Sequence, residues 1–135
     1  MPKHLPMWMY AAACCSLTLA SQAQTGAPAT PPPMFPATAH TPTAAELSAH
    51  LAGKVFKGQT SAGQGWRLEF KTSGYFYINI STGAYDYGNW RSEDGKLCVE
   101  YQRFIPSGCA EVRIAPQTLY TLRSTGETVT LQTTD

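Results

Sequence analysis

Two cysteines stand out among the few residues of this chain that could do chemistry. Cys98 and Cys109 are the only cysteines beyond the first fifteen of the 135 residues. In an exported protein, which the N-terminus indicates, two cysteines more often form a disulfide than a metal site. Redox-active pairs usually stand closer together, as Cys-x-x-Cys at the start of a helix. We therefore predict a structural disulfide between Cys98 and Cys109.

Groups suited to catalysis are sparse. The chain has no histidine after His50, so a nucleophile in the later part would lack a histidine base. It also lacks a Gly-x-Ser-x-Gly motif and a phosphate-binding glycine loop. Glu69, Glu100 and Glu111 are expected on solvent-facing strand positions beside Lys or Arg, which is typical of cross-strand ion pairs. The sequence thus predicts a protein that is not an enzyme and holds no metal or cofactor.

Tyrosine is the residue type that most directly suggests a function. Four of the seven tyrosines fall between residues 75 and 87, and arginines precede and follow them. Tyrosine combines a large apolar area with a hydroxyl at low entropic cost, which suits a contact surface. The alternative is that these rings only cover a sheet through cross-strand pairing. The candidate binding residues are Tyr75, Tyr77, Tyr85, Tyr87, Arg67 and Arg91.

The N-terminus is typical of a secretory signal peptide. Lys3 precedes a mostly apolar run from residue 5 to residue 20, and small residues end the stretch at Ser21-Gln22-Ala23. We predict cleavage near Ala23, a signal peptide over residues 1–23, and a periplasmic or secreted mature protein without a membrane span. The alternative is a lipoprotein attached through Cys14, with Ala11-Ala12-Ala13-Cys14 as its lipobox.

The charge of the mature chain does not indicate a charged partner. Cleavage removes Lys3, one of ten basic residues, and leaves nine basic against nine acidic residues. A formal charge of zero gives no reason to expect nucleic acid or anionic lipid as a partner. The partner is expected to be a small molecule or an envelope protein.

Two short segments precede the predicted sheet. Residues 24–43 are rich in Pro, Ala and Thr and lack a periodic apolar pattern, which predicts a flexible tether. Thr43-Ala44-Ala45-Glu46 is a capping box, so we predict a helix from Ala44 to Ala52. Such a helix is too short to be stable alone and must pack on the domain over residues 44–135.

From Lys54 onward the apolar pattern has a period of two, which indicates strands. Trp66, Leu68 and Phe70 alternate with charged residues, and a three-residue loop should pair Phe70 with Phe76 and Trp66 with Ile80. Tight turns separate about eight short strands. This spacing predicts an all-β fold, a small antiparallel up-and-down meander forming a barrel or half barrel.

Three connections carry more specific expectations. Asp94-Gly95 predicts a type I′ turn that places Trp90 opposite Val99. A loop starting at Gln102 would place Cys98 opposite Cys109, whereas a turn at residues 105–108 would separate them by about 20 Å. Near the end, Leu122 is expected opposite Val129 and Tyr120 opposite Leu131. Residues 81–87 are expected to form a loop, and the alternative is a short strand that starts at Tyr85 and continues into Gly88-Asn89-Trp90.

Two stretches of the chain show a resemblance to known proteins. These are the run G-N-W-R-S-E-D-G-K-L-C-V-E-Y from Gly88 and the run G-C-A-E-V from Gly108. In both, the chain resembles small exported proteobacterial β domains of unknown function. The shared pattern is Gly-x-Trp, Asp-Gly-x-Leu-Cys and a second Cys. The resemblance implies a fold that is lipocalin-like in outline and brings no catalytic residues. The tyrosines and the tether lie outside the pattern.

Two functions remain open on the sequence. The first is an exported, non-enzymatic β-barrel binding module of the bacterial envelope, which should have a cavity inside or at the mouth of the barrel. The second is a protein-protein inhibitor or immunity-type protein that acts on an envelope-degrading enzyme. An inhibitor should instead have a protruding loop, for which residues 81–87 are the candidate.

Overall fold

A computed structural model describes residues 34–134 of the chain. The predicted signal peptide, Cys14 and residues 24–33 lie outside this range. The described part contains one helix and eight strands: α1 (Ala44–Leu51), β1 (Val55–Gln59), β2 (Gly65–Phe70), β3 (Tyr75–Ile80), β4 (Tyr85–Glu93), β5 (Lys96–Tyr101), β6 (Gly108–Ala115), β7 (Thr118–Leu122) and β8 (Thr128–Thr133). No helix in residues 34–134 is long and apolar enough to cross a membrane.

The eight strands form a closed antiparallel barrel in which each strand pairs with its neighbours in the sequence. The barrel closes where β1 pairs with β8, with Phe56 opposite Thr133 and Gly58 opposite Leu131. The predicted all-β meander is therefore confirmed, and of the two forms that the sequence left open, the closed barrel is the one observed. Closure removes the two free edge strands that an open sheet would have.

Four of the connections are three-residue loops of the same kind. In each, the residue before the loop accepts a hydrogen bond from a glycine N–H and donates one to the residue after the loop. The glycine has φ between 80° and 92°, a conformation that other residues rarely adopt. These loops are Ser61–Gly63, Thr72–Gly74, Ser81–Gly83 and Ser124–Gly126.

The strand registers agree with the sequence in most of the sheet. Phe70 lies opposite Phe76 and Trp66 opposite Ile80, as predicted. Trp90 lies opposite Val99. These pairs follow from the three-residue loop and from strict alternation of inward and outward side chains.

The disulfide is also confirmed. Cys98 lies opposite Cys109, and their sulfur atoms are bonded at 1.99 Å. The connection between β5 and β6 is therefore the wider loop and not the turn at residues 105–108.

The predicted register of the last hairpin is wrong by one residue. Tyr120 lies opposite Thr130, and Leu122 lies opposite Thr128. The loop Ser124–Gly126 has three residues, which sets Arg123 opposite Glu127. Because side chains alternate, a shift of one residue turns Leu119 and Thr121 inward instead of Tyr120 and Leu122.

The Asp94-Gly95 turn is not of type I′. That type needs positive φ at both central residues, whereas only Gly95 has it, at 67°. Both residues bind the segment at the start of α1: the Asp94 carboxylate accepts a hydrogen bond from the Ala44 N–H at 2.8 Å, and the Gly95 N–H donates to the Pro42 carbonyl at 2.9 Å. The turn is thus part of a tertiary contact that local turn rules do not include.

Helix α1 lies across one end of the barrel. Its capping box is present as predicted, and the helix ends at Leu51, one residue earlier than predicted. Leu47 and Leu51 are fully buried in the core. The Ser92 hydroxyl donates to the Ala44 carbonyl at 2.8 Å, and the His50 ring bonds the Thr118 carbonyl at 2.9 Å. These contacts join the helix to the ends of β4 and β7.

Residues 34–43, which the sequence assigns to the tether, contact the barrel at several points. His40 exchanges two backbone hydrogen bonds with Ile114, at 3.0 and 3.1 Å, and so extends the sheet beside β6. The Arg113 guanidinium lies 4.7 Å from the centre of the Phe35 ring. Contacts with the barrel therefore begin before the helix.

We expect Gly88→Ala to lower the free energy of unfolding by at least about 2 kcal/mol, because an added methyl group would overpack this site. A Cβ at residue 88 would lie 1.7 Å from the Glu100 carbonyl oxygen, so β4 and β5 would have to separate. Gly108→Ala is the matched control, since a Cβ there meets nothing within 4 Å. Urea unfolding of both variants tests this, and equal stability would contradict the close approach of the two strands.

Candidate functional site

The interior of the barrel is filled with side chains. Phe56, Phe70 and Phe76 are fully buried at its centre, and successive rings contact one another at centroid distances of 5.9 and 5.1 Å. Leucine and valine side chains from β6, β7 and β8 fill the opposite side. A ligand or partner of this domain would therefore have to bind on the outside of the barrel.

Four tyrosines form the main aromatic feature of that outside. Alternation along β3 and β4 turns Tyr75, Tyr77, Tyr85 and Tyr87 outward, and we call these four residues the tyrosine surface. Tyr77 lies directly opposite Tyr87, and Tyr85 lies opposite Asn79. Tyr77 is 36% exposed and Tyr85 is 47% exposed. The structure thus brings the four predicted tyrosines to one face, while their role in binding stays a prediction.

The rings of this surface support one another. The Tyr75 ring centre lies 4.8 Å from that of Tyr77, edge to face, and 6.2 Å from that of Tyr87, stacked. Desolvation, and then the Tyr77 hydroxyl, raise the pKa of Tyr75 above its ordinary value. The Tyr75 hydroxyl is therefore uncharged at neutral pH.

The two predicted arginines occupy different parts of the outer wall. Arg67 lies opposite Asn79, in the row that also contains Tyr85. It bonds Glu69 at 3.2 Å, and Lys71 bonds the same carboxylate. Hydrogen bonds from Lys71 and Arg67 lower the pKa of Glu69. Arg91 lies opposite Cys98 and pairs with Glu93 at 3.4 Å, so it adjoins the disulfide.

The protruding loop predicted at residues 81–87 is absent. Only Ser81–Gly83 forms a loop, and it is tight, while Tyr85 and Tyr87 belong to β4. The longer connection is residues 102–107 between β5 and β6, which we call the β5–β6 loop. Its Phe104 is 56% exposed. The loop that an inhibitor would need is therefore this one.

Asp86 holds the β5–β6 loop, and the sequence analysis did not single it out. It stands between Tyr85 and Tyr87 in β4, and its side chain is fully buried on the inward face of the strand, opposite to theirs. Its carboxylate accepts five backbone hydrogen bonds, four of them from consecutive loop residues. The donors are the N–H groups of Tyr87 (2.8 Å), Gln102 (3.3 Å), Arg103 (3.0 Å), Phe104 (2.9 Å) and Ile105 (2.9 Å).

These bonds keep Asp86 charged despite its burial. Burial by itself raises the pKa of this carboxyl, but the N–H groups of Ile105, Phe104, Tyr87 and Arg103 outweigh it, so the pKa is lowered. The same charge acts on a neighbour: burial, and then the Asp86 charge, raise the pKa of Tyr101 to about 12. Asp86 is thus a fixed negative centre that orders the loop backbone.

One side chain of the loop joins it to the tyrosine surface. The Arg103 guanidinium lies over the Tyr85 ring, 4.1 Å from its centre, and donates a hydrogen bond to the Tyr85 carbonyl at 3.3 Å. At the other end of the loop, the Tyr101 N–H donates to the Ser107 hydroxyl at 2.9 Å. Phe104 is therefore presented beside the tyrosine surface on a backbone held at both ends.

The possible metal ligands of residues 34–134 do not form a convincing site. The one group of three close ligand atoms combines Glu93 with Cys98 and Cys109. Because the two sulfurs are bonded to each other, they cannot bind an ion as thiolates.

Comparison with protein-family models finds no family that matches this chain, and a search of curated proteins finds no match. The resemblance to small exported proteobacterial β domains therefore stays a prediction.

We expect Asp86→Asn to lower the free energy of unfolding at pH 7 by about 2–4 kcal/mol, because an NH2 group would replace one accepting oxygen and face at least two of the five N–H donors. The folded-state pKa of Asp86 lies below the unfolded value, so the stabilisation is complete above about pH 4 and is lost as the pH falls through the folded pKa. Urea unfolding at pH 7 and pH 3 measures both effects.

Glu93→Gln, which alters an exposed carboxylate, is the control for this variant. If the free energies of unfolding of the wild type and Asp86→Asn differ by the same amount at pH 7 and at pH 3, the charge on Asp86 does not stabilise the loop.

Proposed function

We propose that this protein is an exported, non-enzymatic binding module of the bacterial envelope that contacts its partner through the outside of the barrel. The proposal rests on one observation: the tyrosine surface is exposed on a barrel whose interior is filled. The sequence predicts a cavity inside or at the mouth of the barrel for a binding module, and the filled interior leaves little room for one. The outer wall of β3 and β4 offers contact area instead.

The tyrosine surface has the properties of a recognition surface. Its rings are fixed on paired strands and stack on one another, so little side-chain entropy remains to be lost on binding. Exposed tyrosines provide apolar area together with hydroxyls that can donate or accept hydrogen bonds. Arg103 and Arg67 stand at its border and add charge next to the rings.

Export is supported by the disulfide and by the N-terminal sequence. A disulfide that joins neighbouring strands persists in oxidising compartments such as the periplasm. The run of apolar residues before Ala23 has the length and the small-residue ending of a signal peptide. Both point to the same compartment.

We expect the double variant Tyr77→Ala, Tyr85→Ala to lose most of the material that the wild type recovers from envelope extracts, because these are the two most exposed rings of the tyrosine surface. Tyr120→Ala is the control, since it removes an outward tyrosine from β7, outside the tyrosine surface. Pull-down from solubilised envelope fractions, with circular dichroism of each variant, measures the effect. Equal recovery by the double variant and the wild type would exclude the tyrosine surface as the binding site.

Inhibition of an envelope-degrading enzyme is a second candidate function, and the β5–β6 loop favours it. A loop that is already ordered before binding loses little conformational entropy when it binds, so less of the binding free energy is offset. Four consecutive N–H groups of this loop already bond Asp86, so the backbone cannot pair with a partner as an added strand. Recognition would therefore depend on side chains, of which Phe104 is the most exposed. Aromatic residues in such positions often dominate binding energy.

If the protein is an inhibitor, we expect Phe104→Ala to raise its inhibition constant against the sensitive enzyme by about thirtyfold, the effect of losing a central aromatic anchor of about 2 kcal/mol. Met34→Ala is the control, because Met34 is equally exposed but lies outside this loop. Assays with purified peptidoglycan hydrolases provide the measurement. Inhibition that is unchanged in Phe104→Ala would rule out the loop as the inhibitory element.

A further inference from the structure

A shallow groove of about 490 Å³ lies at the end of β1, the start of β2 and the end of β3, next to the tyrosine surface, and both outward and inward residues line it. We propose that this groove binds a carboxylate-bearing sugar of the bacterial envelope. The inference rests on the proposed binding function and names a ligand class for it. Its lining is formed by Lys57, Gly58, Gln59, Gly65, Trp66, Arg67, Asn79, Ile80 and Ser81.

The charges of the groove favour the binding of an anion. Lys57 and Arg67 are directly opposite each other on paired strands and both face outward. Like charges in this arrangement destabilise a sheet unless something compensates them. Arg67 shares the Glu69 carboxylate with Lys71, whereas Lys57 has no ion pair within 4 Å among residues 34–134. A carboxylate between Lys57 and Arg67 would remove the repulsion.

The row of outward residues that crosses the groove has no acid of its own. From β8 to β4 it contains Gln132, Lys57, Arg67, Asn79 and Tyr85. Two cations, two amides and one phenol can donate hydrogen bonds along this row. The mature chain as a whole has no net charge, so the excess of cations is local to this face.

One of the two glycines in the lining leaves room for a ring. Gly58 serves the close approach of β1 and β8, because a Cβ there would lie 2.2 Å from the Thr130 carbonyl oxygen. Gly65 has an ordinary backbone φ, and a Cβ there would approach only the Ser81 side chain, with the Ser81 Cβ at 3.4 Å. The space beside Lys57 and Arg67 is therefore open.

The other lining residues combine apolar and polar groups, as a pyranose ring does. Trp66 and Ile80 face inward and pack against the core, and only their exposed edges add apolar surface that C–H groups of a sugar ring can contact. Gln59 and Asn79 provide amides, and the Ser81 hydroxyl can still donate while it accepts a bond from the Gly65 N–H at 2.9 Å. Apolar walls with a few placed polar groups are typical of small-molecule sites.

N-acetylmuramic acid and N-acetylglucosamine are the discriminating probes, because they share a ring and differ by a lactyl carboxylate. Glucuronic acid is the third probe and distinguishes acidic polysaccharides from the wall glycan as the source of the carboxylate. Each sugar is titrated into the isotope-labelled mature protein, and amide shifts are followed by NMR. We expect the shifts to cluster at Lys57, Gln59, Arg67 and Asn79.

We expect N-acetylmuramic acid to bind at least about tenfold more tightly than N-acetylglucosamine, since hydrogen bonds to charged groups are worth at least one decade in affinity. Lys57→Gln should abolish this difference. Lys96→Gln, which removes a charge from an exposed lysine on β5, should preserve it. Tighter binding of glucuronic acid than of N-acetylmuramic acid would assign the site to acidic polysaccharides within the same class.

The inference is overturned if all three sugars bind equally, if none shifts these amides at millimolar concentration, or if Lys57→Gln leaves the difference intact. The proposed function can still stand in that case. It would be supported by loss of envelope material in the Tyr77→Ala, Tyr85→Ala variant, which leaves Lys57 and Arg67 in place.

Discussion

Pairing of β1 with β8 is the constraint from which the rest of the structure follows. It turns the meander into a barrel, so every strand residue faces either the closed interior or the solvent. The interior of so small a barrel is only as wide as the side chains that fill it, and three phenylalanines occupy its middle. The positions that remain for contact with a ligand or partner are consequently outward residues, loops and the grooves between neighbouring side chains.

Much of this architecture can be read from the sequence, because alternation is a local signal. Trp66, Leu68 and Phe70 fix the inward face of β2, and a three-residue loop then fixes the register of β3. Counting residues from the turn fails in the last hairpin, because its loop is one residue longer than predicted. Thr121 therefore faces inward in place of Leu122. Register depends on the loop conformation as much as on the apolar pattern.

The candidate sites are harder to predict, because they depend on contacts between distant parts of the chain. The tyrosines of β3 and β4 were predictable as a group, since the alternation of both strands turns them outward. Asp86 was not, although a charged residue at an inward position between Tyr85 and Tyr87 is a departure from the pattern that could have indicated it. Four of its five partners belong to the β5–β6 loop and reach it only when that loop is folded over the end of the barrel. The groove depends on three strands and on the absence of a side chain at Gly65.

The docking of α1 has a consequence for how the protein folds. Its partners in the hairpin, Ser92 and Asp94, follow Ala44 by 48 and 50 residues. A helix of eight residues has little stability of its own and cannot persist until those partners have formed. The first element of the barrel domain in the order of synthesis is therefore among the last to become fixed, and the apolar end of the barrel stays exposed until the helix covers it.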